Sequence, residues 1–263
     1  MKSPALQKLR KKIAAQQPVY GLWVSLESPS ITEIATTMGL DWVTVDMEHG
    51  HLDWREVMEH VRAVRGTDTA VFVRIPELQQ SAVKRALDIG AHGVLIPLIR
   101  TRAELELGMQ YGRYPKRGVR GVGGERAVKW GLNFREYLQG ADAQTLIIPL
   151  IETREAAENI DEILSVPGLE MIFFGPADLS ASHGHLGEWE GPGMAKMILD
   201  IRARAARRGI GSGVMSLDPK DARLRRKQGF NMIGLGSDAG MMIRSINAAF
   251  QELGENPPKH IWF

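Results

Sequence analysis

The chain has 263 residues, no cysteine and a formal net charge of +2, from 33 basic and 31 acidic side chains. The lack of cysteine excludes disulfides, thiolate metal ligands and cysteine nucleophiles. The near-balanced charge gives no reason to expect a nucleic acid or an anionic membrane as partner, and no apolar run reaches the roughly 18 residues of a membrane span. Without an apolar signal segment, we expect a cytoplasmic protein with one domain, residues 1–263.

Eight short apolar runs are the candidate strands. They do not alternate with polar residues, which is typical of parallel strands that are covered on both faces. In chain order they are Tyr20–Val24, Trp42–Asp46, Ala70–Arg74, Gly93–Pro97, Thr145–Ile151, Met171–Phe174, Gly211–Met215 and Met232–Leu235.

A helical pattern follows each of these runs, with capping residues at many starts and glycines after many ends. The predicted helices are Ser30–Met38, Asp53–Val64, Gln80–Ile89, Arg102–Tyr111, Thr153–Leu164, Gly193–Arg208, Pro219–Gln228 and Asp238–Leu253. Eight strand–helix pairs in one domain length predict a closed (β/α)8 barrel and favour it over an open doubly wound sheet.

Two segments fall outside this alternation. Residues 113–142 form a long glycine-containing insertion with a short predicted helix at Phe134–Gln139, and connections this long usually serve a function. The tail ends in Ile261-Trp262-Phe263 after two prolines. This apolar end needs a surface to cover it, either on another subunit or on its own barrel. The glycine-rich residues 234–237 are compatible with a phosphate loop or with a plain turn and helix cap.

Charged residues end several of the predicted strands. The second run ends in Asp46 and leads to His49, the third ends in Arg74, Glu152 follows the fifth, and Asp178 follows the sixth. These ends meet at the catalytic face of a barrel. Two carboxylates from neighbouring strands suit a hard divalent cation. An arginine can polarise a keto oxygen, and a histidine is a natural general base.

Each of these residues also has a purely structural interpretation. Asp178 can cap a helix, Arg74 can pair with a neighbouring acid, and His49 can simply be packed. Only their convergence at one barrel mouth favours the functional interpretation.

The same segments resemble the HpcH/HpaI aldolase family, the metal-dependent class II pyruvate aldolases that include enzymes of 4-hydroxy-2-oxoheptanedioate and 2-keto-3-deoxy sugar acids. The similarity extends from Gly21 to about Asp238. It is carried by Asp46-Met47-Glu48-His49, Val73-Arg74, Arg113-Tyr114-Pro115 with Gly118-Val119-Arg120-Gly121, Ile151-Glu152-Thr153 and Gly175-Pro176-Ala177-Asp178-Leu179-Ser180.

The resemblance implies a site for a divalent cation and an oxo acid. Glu152 and Asp178 match the ligands of a metal such as Mg²⁺, Mn²⁺ or Co²⁺, with no organic cofactor. Arg74 matches the arginine that holds the keto oxygen. The segment from Gly175, with the main-chain N–H groups of Ala177 and Asp178, would receive the pyruvate carboxylate at a helix N-terminus.

The resemblance also assigns proton transfer. His49 matches the catalytic base, Asp46 a carboxylate that orients it, and Asp88 an acid that raises its basicity. The implied reaction cleaves a 4-hydroxy-2-oxo acid into pyruvate, or a close 2-oxo acid, and an aldehyde. No lysine ends a predicted strand, which argues against Schiff-base chemistry.

One position departs from the family pattern. Leu150 stands where members often have glutamine, which puts the exact substrate in doubt. The family also implies a homohexamer, a trimer of dimers with exchanged C-terminal helices, so the N-terminal helix and the C-terminal helix and tail are expected at subunit contacts. Two alternatives stay open: decarboxylation of oxaloacetate or cleavage of a CoA ester on the same scaffold, and a non-catalytic barrel that binds an oxo acid.

Overall fold

The computed structural model describes residues 4–263 and contains a closed barrel of eight parallel strands in sequence order. The strands are β1 Val19–Val24, β2 Trp42–Asp46, β3 Ala70–Arg74, β4 Gly93–Ile96, β5 Leu146–Ile151, β6 Met171–Phe174, β7 Gly211–Met215 and β8 Met232–Ser237. The predicted (β/α)8 barrel is confirmed, and every predicted strand agrees with the structure to within two residues at its ends.

Twelve helices are described in this part of the chain. They are α1 Pro4–Ala14, α2 Pro29–Thr37, α3 Trp54–Ala63, α4 Gln80–Ile89, α5 Arg102–Tyr111, α6 Phe134–Gly140, α7 Arg154–Glu158, α8 Ile160–Ile163, α9 Pro176–Ser182, α10 Met194–Arg207, α11 Pro219–Lys227 and α12 Asp238–Glu252. None of them, within residues 4–263, combines the length and apolarity that crossing a membrane requires.

Side-chain hydrogen bonds cap several of these helices. Asp53 and Thr101 each form a capping box with the glutamate three residues later, as their sequences lead one to expect. The single helix predicted for Thr153–Leu164 is wrong in one respect. It is interrupted at Asn159, whose ψ of 12° leaves the helical range and whose side chain donates to the carbonyl of Arg100.

The barrel interior is filled by large side chains. Trp42, Phe72 and Phe173 lie in one buried cluster with Leu6 and Leu9 of α1, which therefore closes the amino end of the barrel. A second cluster fills the layer between the strands and the outer helices. Glycine is needed at position 21 because the indole of Trp42 occupies the space of a side chain there.

The C-terminal segment leaves the barrel and returns to it. Few residues of α12 are buried, and Met242, Ile246 and Phe250 are exposed. The tail after α12 runs back along this helix, where Asn247 donates to the carbonyl of Pro258. It ends at the barrel mouth, where the Oγ of Ser237 donates to the main-chain oxygen of Phe263 over 2.6 Å. Phe263 thus packs on the chain's own barrel, whereas Ile261 and Trp262 remain exposed, and a subunit contact of the tail stays a prediction.

Candidate active site

A cavity of about 430 Å³ opens at the carboxyl ends of the strands. Seven of the eight predicted site residues line it. They are Asp46, His49, Arg74, Glu152, Gly175, Ala177 and Asp178. The barrel brings these residues together because parallel strands in consecutive order end at one rim.

Arg74 is the centre of a buried ion-pair network. β2 and β3 are in register at Asp46 and Arg74, so the two side chains leave the rim side by side. Nε and Nη2 of Arg74 donate to Oδ1 and Oδ2 of Asp46 over 2.8 and 2.5 Å. Burial by itself would raise the pKa of Asp46, but the hydrogen bonds and charge of Arg74 outweigh it and the pKa is lowered. Arg74 is thus held rigidly by a bidentate contact.

Trp23 completes this network from β1. Its indole Nε1 donates to Oδ2 of Asp46 over 3.1 Å, and the guanidinium of Arg74 lies 4.8 Å from its ring centroid. The contact with Arg74 is close enough for a cation–π interaction. Trp23 fixes both partners, and the sequence alone gave it no role.

The turn after β2 is organised by the same carboxylate. Oδ1 of Asp46 accepts from the main-chain N–H groups of Glu48 and His49 over 3.0 and 3.4 Å. His49 is exposed at the cavity mouth. The observed contact between Asp46 and His49 is therefore through the main chain, and it places the histidine at the rim.

Glu152 is buried beneath the rim after β5. Its Oε1 accepts from the main-chain N–H of Leu98 over 2.6 Å. Burial raises the pKa of Glu152 to about 8, and the charges of Glu48 and Asp178 act in the same direction. A Cβ at position 175 would lie 2.5 Å from Oε2 of Glu152, so glycine is required where β6 passes this carboxylate.

Glu48 was part of the recognised motif but had no predicted role. Burial raises its pKa, and the charges of Asp46 and Asp178 add to the effect. Its Oε2 lies 2.8 Å from Nη1 of Arg74, yet the alignment is not that of a hydrogen bond, so this buried oxygen lacks a hydrogen-bonding donor. Its place in this motif, two positions beyond a strand end, was its sequence signal.

The acidic groups suit a hard divalent cation. Burial raises the pKa of Glu48 and of Glu152, and the nearby charge of Asp178 raises both further. A bound cation would favour the charged forms of these two glutamates instead. Within residues 4–263, no group of three or more histidine, cysteine or acidic side chains forms a full ligand set. Substrate and water oxygens would have to complete the coordination, as is common for Mg²⁺.

Asp88 is the predicted residue that the structure does not bring to the cavity. It lies on α4, where its carboxylate accepts from Nη2 of Arg120 over 2.7 Å. Arg120 is buried and its guanidinium lies over the ring of Tyr114. In this chain Asp88 anchors the insertion 113–142, and its influence on His49 stays a prediction.

Several apolar side chains also line the cavity. Leu150 is one of them, so the departure from the family pattern falls inside the site. Trp189, Trp262 and Phe263 are others, and the indole Nε1 of Trp189 is buried without a hydrogen-bond acceptor. The sequence signalled the two tail residues only by an apolar end after prolines, and it gave no signal for Trp189.

The family model for "HpcH/HpaI aldolase/citrate lyase" matches residues 19–245. The chain belongs to this family. The resemblance drawn from the motifs is confirmed, and the protein is a carbon–carbon lyase.

Named relatives are similar to this protein over almost the whole chain. The hydroxypyruvate/pyruvate aldolase of Paraburkholderia phytofirmans is 34% identical over 252 residues, which cover 93% of this chain and 96% of that protein. The 5-keto-4-deoxy-D-glucarate aldolase of Escherichia coli K12 is 35% identical over 94% of this chain and 95% of its own length. The crystal structure of a family protein from Burkholderia cenocepacia J2315 superposes with a TM-score of 0.89 at 34% identity, over 94% of this chain and 99% of that chain.

Proposed function

We propose that this protein is a class II aldolase that reversibly cleaves a 4-hydroxy-2-oxo acid into pyruvate, or a close 2-oxo acid, and an aldehyde. The observation that carries the proposal is the convergence of Glu152, Asp178 and the Arg74–Asp46 pair on one cavity at the catalytic end of the barrel. Carboxylates gathered in this buried place are unfavourable by themselves, as the raised pKa of Glu152 indicates, whereas a bound cation that carries an oxo acid would neutralise them.

Glu152 and Asp178 would hold the divalent cation, Mg²⁺, Mn²⁺ or Co²⁺. When bound, such an ion supplies Lewis-acid stabilisation of negative charge on the oxygens of the oxo acid. The proposal needs no organic cofactor.

The carboxylate of the oxo acid would bind at the first turn of α9. Pro176 has no N–H, and the first N–H that donates within the helix is that of Leu179, to the carbonyl of Gly175. The N–H groups of Ala177 and Asp178 come before it in the first turn, so they are free to meet an anion. Gly175 allows this turn to pass close to Glu152.

Arg74 would stabilise the charge that develops on the keto oxygen. A guanidinium has five N–H donors, and two of them, on Nε and Nη2, donate to Asp46. Nη1 forms an ion pair with Glu48 without the alignment of a hydrogen bond. Donors that Asp46 does not use can therefore donate to the substrate. Because the group is buried, it acts on that oxygen with little screening by water.

His49 would be the general base. In cleavage it removes the proton from the C4 hydroxyl, the C4–O bond becomes the carbonyl of the departing aldehyde, and the electron pair of the C3–C4 bond passes into the enolate of pyruvate. A proton added at C3 then gives pyruvate. The reverse sequence is the aldol addition.

The test is pyruvate release from a panel of 4-hydroxy-2-oxo acids by protein treated with EDTA and then supplied with Mg²⁺, Mn²⁺ or Co²⁺. We expect activity to disappear with EDTA and to return with metal in the wild type, and to be absent in Asp178→Ala under all conditions. Glu155→Ala is the matched control, because Glu155 is exposed on α7 and does not line the cavity. Full activity in EDTA would contradict the proposal.

Adding oxaloacetate to this panel, and measuring pyruvate binding separately, distinguishes the alternatives. Turnover of oxaloacetate alone would favour a decarboxylase, and tight binding of pyruvate without turnover would favour a binding protein. For CoA esters the structure offers little support, because none of the basic side chains of the insertion 113–142 lines the cavity in the described part of the chain.

We also propose that the protein is a homohexamer, a trimer of dimers. The exposed apolar residues Met242, Ile246 and Phe250 on α12 support it, since contiguous apolar surface of this kind is usually covered by a partner. Light scattering should give a mass of six times the 29.2 kDa of one chain. A monomer would contradict this proposal.

A further inference from the structure

Three aromatic rings form one side of the cavity, and we call them the aromatic wall: Trp189, Trp262 and Phe263. The ring centroids of Trp189 lie 5.5 Å from those of Trp262 and 5.4 Å from those of Phe263, and Trp262 stacks on Phe263 at 5.1 Å. These separations are typical of favourable aromatic pairs. The loop after α9 and the end of the tail therefore build one continuous apolar surface.

The aromatic wall lies one ring away from the proposed oxo-acid site. Phe263 is 6.4 Å from Trp23, centroid to centroid, and Trp23 is the ring over which the guanidinium of Arg74 lies. A substrate whose keto oxygen meets Arg74 would extend its other end along this surface. That end is the fragment that leaves as the aldehyde.

The chain is adapted to hold the tail in this place. The main-chain oxygen of Phe263 accepts from Ser237, and that of Trp262 accepts from Nη1 of Arg244 over 3.3 Å. Any Cβ at position 240 would collide with the main-chain oxygen of Phe263. Glycine in the first turn of α12 is unfavourable for the helix itself, so its presence fits a requirement set by the tail.

The cavity offers little to a second anionic group on the substrate. Among the described residues that line it, the only basic side chains are Arg74, His49 and His260, and Arg74 is already engaged by two acids. The remaining surface includes Leu150, Phe173, Met215 and Ile243. A carboxylate placed against this surface would lose its hydration without gaining a partner.

The cavity is larger than pyruvate alone requires. Its volume of about 430 Å³ lies within the range of sites for larger small molecules, and pyruvate has only six non-hydrogen atoms. Space for a sizeable second fragment therefore remains beside the aromatic wall.

We propose that the aromatic wall is the aldehyde subsite and that it selects an uncharged, apolar aldehyde of branched aliphatic or aromatic character. This inference rests on the aldolase function proposed above and narrows its substrate class. Trp262 and Phe263 are the specificity-determining residues, and Leu150 continues the same apolar surface.

The test compares two aldehydes of the same size in aldol addition to pyruvate. Succinic semialdehyde and 4-methylpentanal have the same number of non-hydrogen atoms and nearly the same size, because a carboxylate in one replaces an isopropyl group in the other. We expect wild-type kcat/KM to be at least about tenfold higher for 4-methylpentanal. In Trp262→Ala and in Phe263→Ala, the ratio of the two kcat/KM values should fall by roughly tenfold.

Ile261→Ala is the matched control, because Ile261 is exposed in the same tail and does not line the cavity. It should leave the ratio unchanged. The ratio is internal to each preparation, so a partly folded variant does not distort it. A wild-type ratio at or below one, or an unchanged ratio in Trp262→Ala, would overturn the inference.

Exchange of the pyruvate methyl protons in D2O, followed by NMR without any aldehyde, separates the two proposals. If exchange occurs but the ratio of the two kcat/KM values does not behave as expected, only the inference about the aldehyde subsite is overturned. No exchange by the metal-loaded wild type, and no cleavage in the panel, would overturn the aldolase function and this inference with it.

Discussion

At the amino ends of the strands, buried polar side chains bond to main-chain groups, and at the carboxyl ends several of them face one another. The Asp41 carboxylate accepts from the N–H of Tyr20 and pairs with Lys12, and Nδ1 of His92 accepts from the N–H of Val71 over 3.0 Å. At the mouth, by contrast, burial and mutual repulsion raise the pKa of Glu48 and of Glu152.

This contrast indicates that the amino ends of the strands serve the stability of the fold and that the carboxyl ends serve its function. Polar groups at the amino ends close the strands onto α1 and satisfy each other, which is what folding alone favours. The mouth keeps carboxylates in positions that destabilise the metal-free protein, a pattern expected where a site is held ready for a ligand. Substitutions at the two ends should therefore change different properties.

The largest effect is expected for Glu152→Gln. Loss of a proposed metal ligand should lower aldol activity at least about 10³-fold, which corresponds to about 4 kcal/mol. Since the raised pKa of Glu152 means that its charged form is disfavoured in the folded state, the metal-free variant should be more stable than wild type at pH 8. Glutamine still accepts from Leu98 through its amide oxygen. Activity assays and thermal unfolding in EDTA check both parts.

Adding metal tests whether Glu152 acts as a ligand. A cation that binds only the folded state raises the melting temperature, so metal should stabilise the wild type and leave Glu152→Gln unchanged. Glu158→Gln is the control, because Glu158 is exposed on α7. A variant that loses stability in EDTA would mean that Glu152 serves the fold and not a ligand.

The next effect concerns the amino end. Burial, with the charge of Arg126 nearby, lowers the pKa of His92 from 6.5 to about 4. The unfolded chain therefore takes up this proton first, and stability is lost as pH falls from about 6.5 towards 4, by about 3 kcal/mol in total. In His92→Asn this part of the pH dependence should disappear, as measured by urea unfolding between pH 7 and pH 4.5.

The control for this experiment is His51→Asn, because His51 is exposed. It should keep the wild-type pH dependence. If His92→Asn retains the full loss of stability at low pH, protonation elsewhere destabilises the fold and the amino end is not its origin.

Most of the residues at the cavity mouth could be predicted from the sequence, because the topology of the barrel alone determines which strand ends meet. Asp46, Arg74 and Glu152 end consecutive or nearby strands, and parallel strands in sequence order carry such ends to one rim. The pairing of Asp46 with Arg74 then follows from register, which a strand pattern does not give. This is why Arg74 has both its predicted structural partner and a place in the cavity.

Other features depended on long-range packing that no local pattern encodes. The position of the tail depends on contacts of Phe263 with Gly240 and Ser237, which precede it by more than twenty residues. The break at Asn159 depends on a hydrogen bond to the loop before α5. Asp88 was placed by resemblance alone, and its partner Arg120 comes from an insertion with no regular pattern.

The next effect concerns Arg74, whose planar guanidinium group is expected to be necessary for full activity. In Arg74→Lys the charge remains, but an ammonium group cannot donate to both oxygens of Asp46 in a plane and still reach Glu48. We expect kcat/KM for cleavage to fall roughly 10²-fold. Arg100→Lys, in an exposed pair with Glu104, should have no effect. A decrease of less than about threefold in Arg74→Lys would show that charge alone suffices.

The smallest effect is expected at Ser237, which contributes both to the stability of α12 and to the position of the tail at the cavity. Its Oγ accepts from the N–H of Gly240 over 3.0 Å as the N-cap of α12 and donates to the main-chain oxygen of Phe263. Ser237→Ala should lower stability by about 1 kcal/mol through the lost cap. It should also release the tail, so that hydrogen exchange of residues 259–263 becomes faster.

Thr153→Ala is the matched comparison, because Thr153 caps α7 through the N–H of Ala156 and has no contact with the tail among its hydrogen bonds in the described chain. It should cost a similar 1 kcal/mol and leave tail exchange unchanged. Equal tail exchange in both variants would mean that the aromatic contacts alone hold the tail at the mouth. Faster exchange only in Ser237→Ala would show that one hydroxyl serves both the helix and the wall of the cavity.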